Sequence, residues 1–386
     1  MSNYDAIVIG AGHNGLTNAA YLAKSGLKVL LLEKNDYIGG AAVSRVLHDG
    51  WTYSNCSYVC SLLRPEIFRD LNLQKYGLQV LAYGGSVTFM ENGDIFGGYS
   101  DADMFRREIS RFSKKDADAY VRFSRDVARQ CRFIKPMLLR TPPDPTSFKP
   151  KDLGELIYLF KRLYSLGEQT IYDTIRFYTM SVAEYLEEYF ETDVIKAALS
   201  GSGIIGTGLG PYSPGTAYVL LHHYMGEVDG SIGSWGYARG GMGAISNALA
   251  GAFQDHDGEI KKESEVSQII VKNGRAKGVV LANGDEYYAK NVVSNLDVKR
   301  TYQKLFDPKD LSKKILKQVD NFKIRGSSGK LNIALDGLPE FPAMGEKNPL
   351  IYADMHFIDS LERMERAFDD WKNGRWSRDP YADVLI

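Results

Sequence analysis

The chain has 386 residues, 44% hydrophobic and 25% charged, which excludes a disordered chain, a collagen or a coiled coil and suits two or three domains. Its 47 basic and 48 acidic residues give a net charge of −1, so the composition predicts no nucleic-acid partner. Three cysteines are too few for a disulfide framework, and no apolar run reaches the roughly 20 residues that span a bilayer, so a reducing, cytoplasmic location is expected.

The first forty residues predict a strand, a glycine-rich turn, a helix and a second strand. Residues 5–9 form a short apolar run typical of a buried parallel strand, and the motif GAGHNG of residues 10–15 follows directly. Apolar residues then recur at helical spacing until Gly26, and residues 28–32 indicate a second buried strand that leads into Glu33. This order of elements is typical of a dinucleotide-binding unit.

Each glycine of the turn has a physical task. Gly10 permits the sharp turn out of the strand, Gly12 lets the backbone approach a pyrophosphate, and Gly15 lets the helix pack closely on the strand. The helix N-terminus offers free N–H groups and a partial positive charge to phosphates. Glu33 can accept hydrogen bonds from a ribose diol and would repel a 2′-phosphate, which disfavours NADP. We therefore predict dinucleotide binding here, with a purely structural glycine turn as the alternative.

A second glycine pair distinguishes FAD from NAD. Gly39-Gly40 begins six residues after Glu33, and Ser44 and Arg45 follow the pair. Plain NAD dehydrogenases do not need glycines at this point. In FAD enzymes with a glutathione-reductase-like fold, such a pair lets the chain pass the flavin side of the pyrophosphate. The arrangement therefore favours FAD as the cofactor.

The next part of the chain predicts a hairpin followed by helices. Asn92-Gly93 joins two strand-like runs, and residues 120–138 carry an apolar stripe at helical spacing. We interpret this stripe as a surface helix with a solvated basic face, and attachment to an anionic membrane surface is the alternative. The basic residues that interleave with the stripe are Arg122, Arg125, Arg129, Arg132 and Lys135.

The remaining elements are mixed. Residues 153–195 are helical and rich in aromatics, most of them expected in the core and a minority lining an apolar tunnel. Asn-Gly turns at Asn273 and Asn283 predict a three-stranded meander. Residues 331–335 indicate a further strand and residues 359–371 a helix.

No motif predicts a metal site, and no residue is identified as a catalytic base. His222 and His223 are adjacent, so on a helix their side chains point about 100° apart, which disfavours joint metal ligation and favours a structural role. Cys56 and Cys60 lack the adjacent spacing of a redox pair, so no dithiol chemistry is expected.

Five segments together resemble the phytoene desaturase and amine oxidase superfamily of FAD oxidoreductases, and most closely its phytoene-dehydrogenase-related branch. They are residues 8–16, Glu33 with Gly39-Gly40, and residues 53–58, 237–243 and 292–297. The chain departs from the pattern at Ala41, where amine oxidases usually have arginine. Members of the superfamily also carry a further glycine-rich segment near their C-terminus, so we expect this sequence to be truncated there.

The resemblance implies an α/β fold: a glutathione-reductase-like FAD-binding Rossmann domain built from discontinuous segments, with an inserted mixed α+β substrate domain. Residues 1–60 and 231–305 would form the FAD-binding domain, residues 61–230 and 306–386 the substrate domain, with the C-terminal FAD segment missing. Val266 would contact adenine through its backbone, and Asn295 would lie toward the flavin. The predicted cofactor-binding residues are Gly10, Gly12, His13, Asn14, Gly15, Glu33, Lys34, Gly39, Gly40, Ser44, Arg45, Val266 and Asn295.

The function implied by the resemblance is FAD-dependent dehydrogenation or desaturation of an apolar, carotenoid- or isoprenoid-like small molecule. Such an enzyme would be cytoplasmic, with peripheral membrane contact as an option, or mitochondrial in a eukaryotic relative. Two alternatives stay open: an FAD-dependent amine oxidase, and a flavoprotein-like partner-binding protein without turnover, in which the cofactor stabilises the fold.

Overall fold

The computed structural model describes residues 4–165, 167–345 and 348–386. The strands are β1 (Tyr4–Ile9), β2 (Val29–Leu32), β3 (Ser44–His48), β4 (Trp51–Ser54), β5 (Val80–Ala82), β6 (Gly85–Phe89), β7 (Ile95–Tyr99), β8 (Glu227–Val228), β9 (Ser231–Ile232), β10 (Gly236–Ala238), β11 (Glu259–Lys261), β12 (Val266–Lys272), β13 (Arg275–Leu281), β14 (Glu286–Ser294), β15 (Asp354–His356) and β16 (Asp383–Val384). The α-helices are α1 (His13–Lys24), α2 (Pro65–Asp70), α3 (Ala102–Phe112), α4 (Lys114–Ile134), α5 (Pro150–Tyr164), α6 (Glu168–Thr179), α7 (Val182–Glu187), α8 (Asp193–Ile204), α9 (Thr216–Tyr224), α10 (Gly243–Gln254), α11 (Val298–Lys304), α12 (Lys313–Asn321) and α13 (Leu361–Lys372).

Six strands from two distant parts of the chain form the main sheet, in the order β11-β2-β1-β14-β13-β12. The strands β11, β2, β1 and β14 are parallel to one another. The strands β12, β13 and β14 form the antiparallel meander predicted from the two Asn-Gly turns. The main sheet is therefore α/β and discontinuous in sequence, as predicted, because β1 and β14 are joined only through an insertion of more than two hundred residues.

The alternation of side chains along β1 gives the sheet its two buried faces. Ala6 and Val8 pack into the core formed with α1 and α10, whereas Ile7 and Ile9 pack into the core formed with the meander. All four residues of β2 are buried, which explains its continuous apolar run. Alanines on α1 and α10 let these helices lie close to the sheet and to each other.

The first segment of the Rossmann core extends beyond the predicted boundary at residue 60. Leu71, Leu73 and Leu78, which follow α2, are buried in the same core as α1 and α10. Tyr76 contacts this core as well, and its hydroxyl donates to Asp255 at the end of α10. These residues therefore pack against α1 and α10, although they follow the boundary predicted at residue 60.

The inserted part combines a helical core with a four-stranded sheet. Helices α3, α4 and α6–α9 enclose an aromatic-rich core around Phe123, which is fully buried. The four-stranded sheet has the order β16-β15-β6-β7, and β6 and β7 form the hairpin predicted at Asn92-Gly93. The helix predicted within residues 120–138 is confirmed as part of α4, and α13 confirms the one predicted at 359–371.

The strand predicted at residues 331–335 is wrong. This segment is irregular, and its apolar side chains point to solvent, with Leu331 80% exposed. Alternating apolar residues indicate a strand only where a neighbouring strand pairs with them, and the structure describes no such partner for this segment. None of the helices in the described part of the chain combines the length and the apolar character that crossing a bilayer requires.

Candidate dinucleotide-binding site

The turn between β1 and α1 is as tight as the glycine motif predicts. Gly10 has φ of +92°, in the region that favours glycine. A Cβ atom at Gly15 would lie 2.1 Å from the carbonyl oxygen of Gly10, which no side chain can tolerate. Gly15 is therefore fixed by the close approach of α1 to the end of β1, and the first N–H groups of the helix are held at the sheet edge.

The start of α1 presents a set of backbone N–H donors without a side-chain cap. Gly12 is the N-cap residue and provides no side-chain acceptor, and the first helical turn contains no acidic residue. The N–H groups of the first turn therefore lack the intrahelical and capping partners that would satisfy them, and the helix dipole adds a partial positive charge. This end of α1 is suited to a phosphate group.

Glu33 is buried at the end of β2 and its carboxylate is anchored on both sides. One oxygen, Oε2, accepts from the Ala11 N–H at 2.8 Å. The other, Oε1, accepts from the Asn35 backbone N–H at 3.0 Å and from Asn35 Nδ2 at 2.8 Å. A carboxylate has about four acceptor positions, so one position on Oε2 is left for a ribose hydroxyl.

A cavity of about 500 Å³ lies beside Glu33, where the adenine end of a dinucleotide would be expected. The exposed side chain of Lys34 lines it, together with residues 263–265 and 281–283. The Ser264 N–H donates to the Glu33 carbonyl oxygen at 2.8 Å, which fixes this segment against the end of β2. Val266 is buried and its neighbour Glu265 lines the cavity, so Val266 lies close to it, and its backbone contact with adenine stays a prediction.

The second glycine pair packs directly on the first turn. The Gly39 N–H donates to the Ala11 carbonyl oxygen at 2.8 Å, and Gly12 and Gly39 form an isolated parallel bridge. A Cβ atom at Gly40, where φ is +58°, would lie 3.0 Å from Gly12 Cα. Gly40 is therefore required by the close contact of the two backbone segments, whereas a Cβ atom at Gly39 would lie 2.5 Å from the Ala42 carbonyl oxygen of its own loop. The two glycine segments together form one continuous cradle.

Asn295 closes the cradle from the neighbouring strand. Its N–H donates to the Ile9 carbonyl oxygen at 2.9 Å, which continues the pairing of β1 and β14. Its Nδ2 atom lies 3.1 Å from the position that a Cβ would take at either Gly12 or Gly15. The structure thus brings Asn295 to the first turn, although 280 residues separate it from Gly15 in the chain.

His13 and Asn14 occupy the first turn of α1 in different environments. The Asn14 side chain is exposed, whereas the His13 Nδ1 atom is buried with no hydrogen-bond partner among the described residues. Burial lowers the pKa of His13 below its ordinary value, so the imidazole is neutral at pH 7. An unpartnered buried nitrogen at this position is consistent with a ligand that supplies the missing hydrogen bond.

Ser44 and Arg45 have partners within the protein. The Ser44 hydroxyl oxygen accepts from the Gly243 N–H at 2.9 Å, at the start of α10. The Arg45 guanidinium lies 4.2 Å from the ring centroid of Tyr37. Ser44 therefore joins the two segments of the Rossmann domain, and this structural contact is in place whether or not it also contacts a cofactor.

Two further serines fasten the cradle and were missed by the sequence analysis. The Ser246 hydroxyl donates to the Ala42 carbonyl oxygen at 2.7 Å, and the Ser54 hydroxyl accepts from the Met242 N–H at 3.0 Å. The glycine-rich segment at residues 237–243 could have indicated them. It belongs to the second part of the FAD-binding domain, which must contact the first part, and serines near such a contact can supply hydrogen bonds.

Taken together, these residues fit FAD. The glycine turn and α1 would hold the pyrophosphate, Glu33 the adenosine ribose, and the cavity beside Lys34 the adenine. FAD, when bound, supplies a two-electron acceptor for oxidation of a substrate carbon. The residues of the cradle themselves contribute position and hydrogen bonds.

The two histidines of α9 lie in different environments, and His223 has hydrogen-bond and stacking partners within the protein. His223 Nδ1 lies 2.8 Å from the Ser202 carbonyl oxygen, and its ring stacks on Trp235 with centroids 5.5 Å apart. His222 lies beside His223 with its ring nearly perpendicular, so the two do not converge on one point. Cys60 is buried, which raises its pKa to about 11 and disfavours a reactive thiolate.

Comparison with known proteins identifies the family. The family described as flavin containing amine oxidoreductase matches residues 15–343. Pyridine nucleotide-disulfide oxidoreductase domain-containing protein 2 of Mus musculus is 34% identical over 99% of this chain and 70% of its own length. The chloroplastic prolycopene isomerase of Daucus carota is 29% identical over 99% of this chain and 57% of its own length.

The solved structures agree with the fold described above. An oxidoreductase from Methanosarcina mazei matches 82% of this chain and 65% of its own, with 18% identity and a TM-score of 0.54. The chain thus spans about two thirds of that structure's length. At this identity the match bears on the fold alone, and it agrees with the discontinuous Rossmann domain. The chain belongs to the flavin-containing amine oxidoreductases, a family of oxidoreductases, and its cofactor is FAD.

Proposed function

We propose that this oxidoreductase is a dehydrogenase that desaturates an apolar, isoprenoid-like substrate. In this reaction one substrate carbon gives up a hydride and the neighbouring carbon a proton. The carrot relative is named for prolycopene, a polyene, and it aligns with nearly the whole chain. This likeness supports a substrate of similar chemistry, and it leaves the individual compound open.

The observation that carries the proposal is an exposed apolar face on α5. Leu153, Ile157, Phe160 and Tyr164 recur at steps of four, three and four, so they share one side of the helix. We call these four residues the α5 stripe. Phe160 is 69% exposed and Tyr164 is 79% exposed. Large apolar side chains in a row at the surface suggest contact with an apolar phase.

The surroundings of the α5 stripe favour a lipid surface as that apolar phase. Tyr172 and Ile175 on α6, the next helix along the chain, are also exposed apolar side chains. Lys149, Lys151 and Lys161 are exposed on or next to α5, and such cations attract anionic headgroups. The opposite side of α5 faces the protein, since Arg162 donates to the Phe133 carbonyl oxygen at 2.9 Å. An enzyme whose substrate dissolves in lipid would gain access to it by this contact.

The basic face of α4 gives less support to the same idea. The Arg122 guanidinium lies 4.9 Å from the Tyr189 ring centroid, and Arg129 pairs with Asp126 at 3.1 Å and with Asp173 at 3.3 Å. Lys135 pairs with Glu227. Three of the five basic residues are thus engaged within the protein, so we place the membrane contact on α5 instead.

Anaerobic reduction of the flavin tests the proposed reaction. The FAD-loaded protein is mixed with a C40 polyene carried in lipid vesicles, and the flavin absorption band is followed while chromatography detects the product. We expect bleaching of the band together with a product containing an additional double bond. A protein whose flavin is bleached by amines and never by polyenes would contradict the proposal.

An amine oxidase is the second candidate, because the family model that matches the chain is described as an amine oxidoreductase. Ala41 stands where the resemblance predicts arginine in amine oxidases, which weakens this reading. Aerobic incubation with a panel of primary and secondary amines distinguishes the two, since an amine oxidase would release peroxide in proportion to amine consumed.

A further inference from the structure

Three polar side chains form a cluster that lies outside the cradle, on the four-stranded sheet. Asp354 and His356 are two apart on β15, so they point to the same face of the strand. Asp383 on β16 is the direct cross-strand partner of His356. The pairing of these two short strands therefore places one imidazole and two carboxylates side by side.

The ligand atoms of the cluster converge. His356 Nε2 lies 3.3 Å from Asp354 Oδ2 and 3.6 Å from Asp383 Oδ1. One atom from each of the three residues can be chosen so that all lie within 4.8 Å of one another. Tetrahedral ligands about 2.05 Å from a zinc ion lie about 3.3 Å apart, so the spacing matches two edges of such a site.

The cluster is buried, and one polar atom of each of its three residues lacks a hydrogen-bond partner among the described residues. The His356 side chain is only 10% exposed. Oδ1 of Asp354 and Oδ1 of Asp383 are buried with no hydrogen-bond partner among the described residues. No lysine or arginine described in the structure forms an ion pair with either carboxylate, so either a protonated His356 or a bound cation must balance their charge.

The groups around the cluster are mostly phenolic. Burial raises the pKa of Tyr58 and of Tyr83 well above the ordinary tyrosine value, and the charges of Asp383 and Asp354 add to the effect. Both phenol groups therefore remain neutral. The Tyr381 ring centroid lies 5.8 Å from that of His356. Lys330 lies over the Tyr58 ring, 5.6 Å from its centroid, and its ammonium donates to the Ser54 carbonyl oxygen. Neutral hydroxyls supply dipoles but no positive charge.

We infer that Asp354, His356 and Asp383 bind one divalent transition-metal ion of the zinc type. One imidazole nitrogen with two carboxylate oxygens suits zinc, whereas magnesium and calcium prefer oxygen ligands alone. The ion would join β15 to the two-residue strand β16, whose hydrogen bonding to the sheet is otherwise short. Water would complete the coordination. This inference is independent of the substrate proposed above.

Metal analysis and calorimetry of the full chain test the site. The protein is stripped with EDTA, dialysed, and titrated with ZnCl₂ and, separately, with MgCl₂. We expect one zinc ion per chain and no binding of magnesium in the same range. The substitutions D354N, H356A and D383N should each weaken zinc binding by more than the roughly 10–100-fold that the loss of a second-shell partner costs.

Matched controls separate this site from adventitious binding. H256A and D285N change an exposed histidine and an exposed aspartate elsewhere, and both should bind zinc like the parent. D383H replaces one ligand by another and should retain binding that D383N loses. Circular dichroism and the flavin spectrum check that each variant folds. A folded, stripped parent that takes up no zinc, or binding that survives all three ligand substitutions, would overturn the inference and leave a proton shared by His356 and the carboxylates.

Discussion

The cradle and the helical insert meet different physical demands. In the cradle, backbone meets backbone: Gly39 donates to Ala11, and Gly40 lies against Gly12. In the insert, residues 102–224, side chains meet side chains around Phe123, and other aromatics of the same helices remain at the surface. The cradle therefore tolerates almost no added atom, whereas the insert can exchange one large apolar residue for another.

Because of this difference, substitutions in the two regions should have different effects on cofactor binding and on stability. A change at the cradle glycines or at Glu33 should remove the cofactor and destabilise the fold together, because the same contacts serve both. A change on the outer face of α5 should leave the fold and the cofactor intact, because the α5 stripe packs on little within the chain. Substitutions in the two regions test whether that separation holds.

The largest effect is expected for Gly15→Ala. The new Cβ would meet the Gly10 carbonyl oxygen at 2.1 Å, so α1 must move away from β1. We expect a loss of about 3 kcal/mol of unfolding free energy and of the bound flavin. Chemical denaturation and the flavin absorption of the purified protein measure both. Gly154→Ala is the control, since Gly154 lies in α5 with open space around it and should lose neither.

Glu33→Gln should have the next largest effect. The new amide group places a donor against the Ala11 N–H or against the two donors of Asn35. We expect about 1–3 kcal/mol less stability without FAD, and at least tenfold weaker binding of FAD in addition. Thermal unfolding with and without added FAD separates the two losses.

A Glu33→Gln protein that binds FAD like the parent would remove Glu33 from the site. The control is Glu362→Gln, which breaks only an exposed pair with Arg366 and should change stability by less than about 1 kcal/mol. Loss of stability without any turnover by the parent would instead favour the partner-binding alternative.

Ser44→Ala gives a smaller and more local prediction. It removes the acceptor of the Gly243 N–H but leaves the serine contacts at Ser54 and Ser246 in place. We expect about 1 kcal/mol less stability and an unchanged flavin spectrum. If flavin is lost while the unfolding free energy is unchanged, Ser44 contacts the cofactor directly. Ser25→Ala, at the exposed end of α1, is the matched control.

The sequence predicted the cradle better than the insert for a physical reason. The turn at residues 10–15, Glu33 and the pair Gly39-Gly40 obey local rules, so spacing alone locates them. Asn295 was placed by resemblance, and only the pairing of β1 with β14 brings it to Gly12. Ser246 and Ser54 were missed because each makes a single hydrogen bond to a distant segment. Such a contact produces no periodic pattern in the sequence.

The ion-pair partners of α4 and the Asp354 cluster escaped prediction for related reasons. The sequence of α4 does not show which of its basic side chains form ion pairs within the protein. The acidic partners Asp173 and Glu227 are far away in sequence. The cluster needs the register of β15 and β16, in which His356 faces Asp383. No single motif contains both strands, and β16 has only two residues, so no pattern indicated their meeting.

The smallest effect on stability is expected for Phe160→Ser with Tyr164→Ser. This double variant is also the sharpest test of the contrast between the cradle and the outer face of α5. Both side chains are mostly exposed and stack on each other with centroids 6.3 Å apart. Their loss should change the unfolding free energy by less than about 1 kcal/mol and leave the flavin spectrum unchanged. Co-sedimentation with vesicles containing anionic lipid should nevertheless fall several-fold.

Charge reversal on α4 completes that test. Arg122→Glu with Arg125→Glu should leave co-sedimentation nearly unchanged, because Arg122 is already engaged with Tyr189 and with the Glu188 carbonyl oxygen. If the α4 variant loses vesicle binding and the α5 variant keeps it, the basic face of α4 is the contact surface and the α5 stripe is not. If both variants bind vesicles as well as the parent does, the exposed aromatic side chains of α5 do not contact lipid. The separation between a rigid cofactor cradle and a replaceable outer face would still stand, because it depends on the flavin spectrum and the unfolding free energy alone.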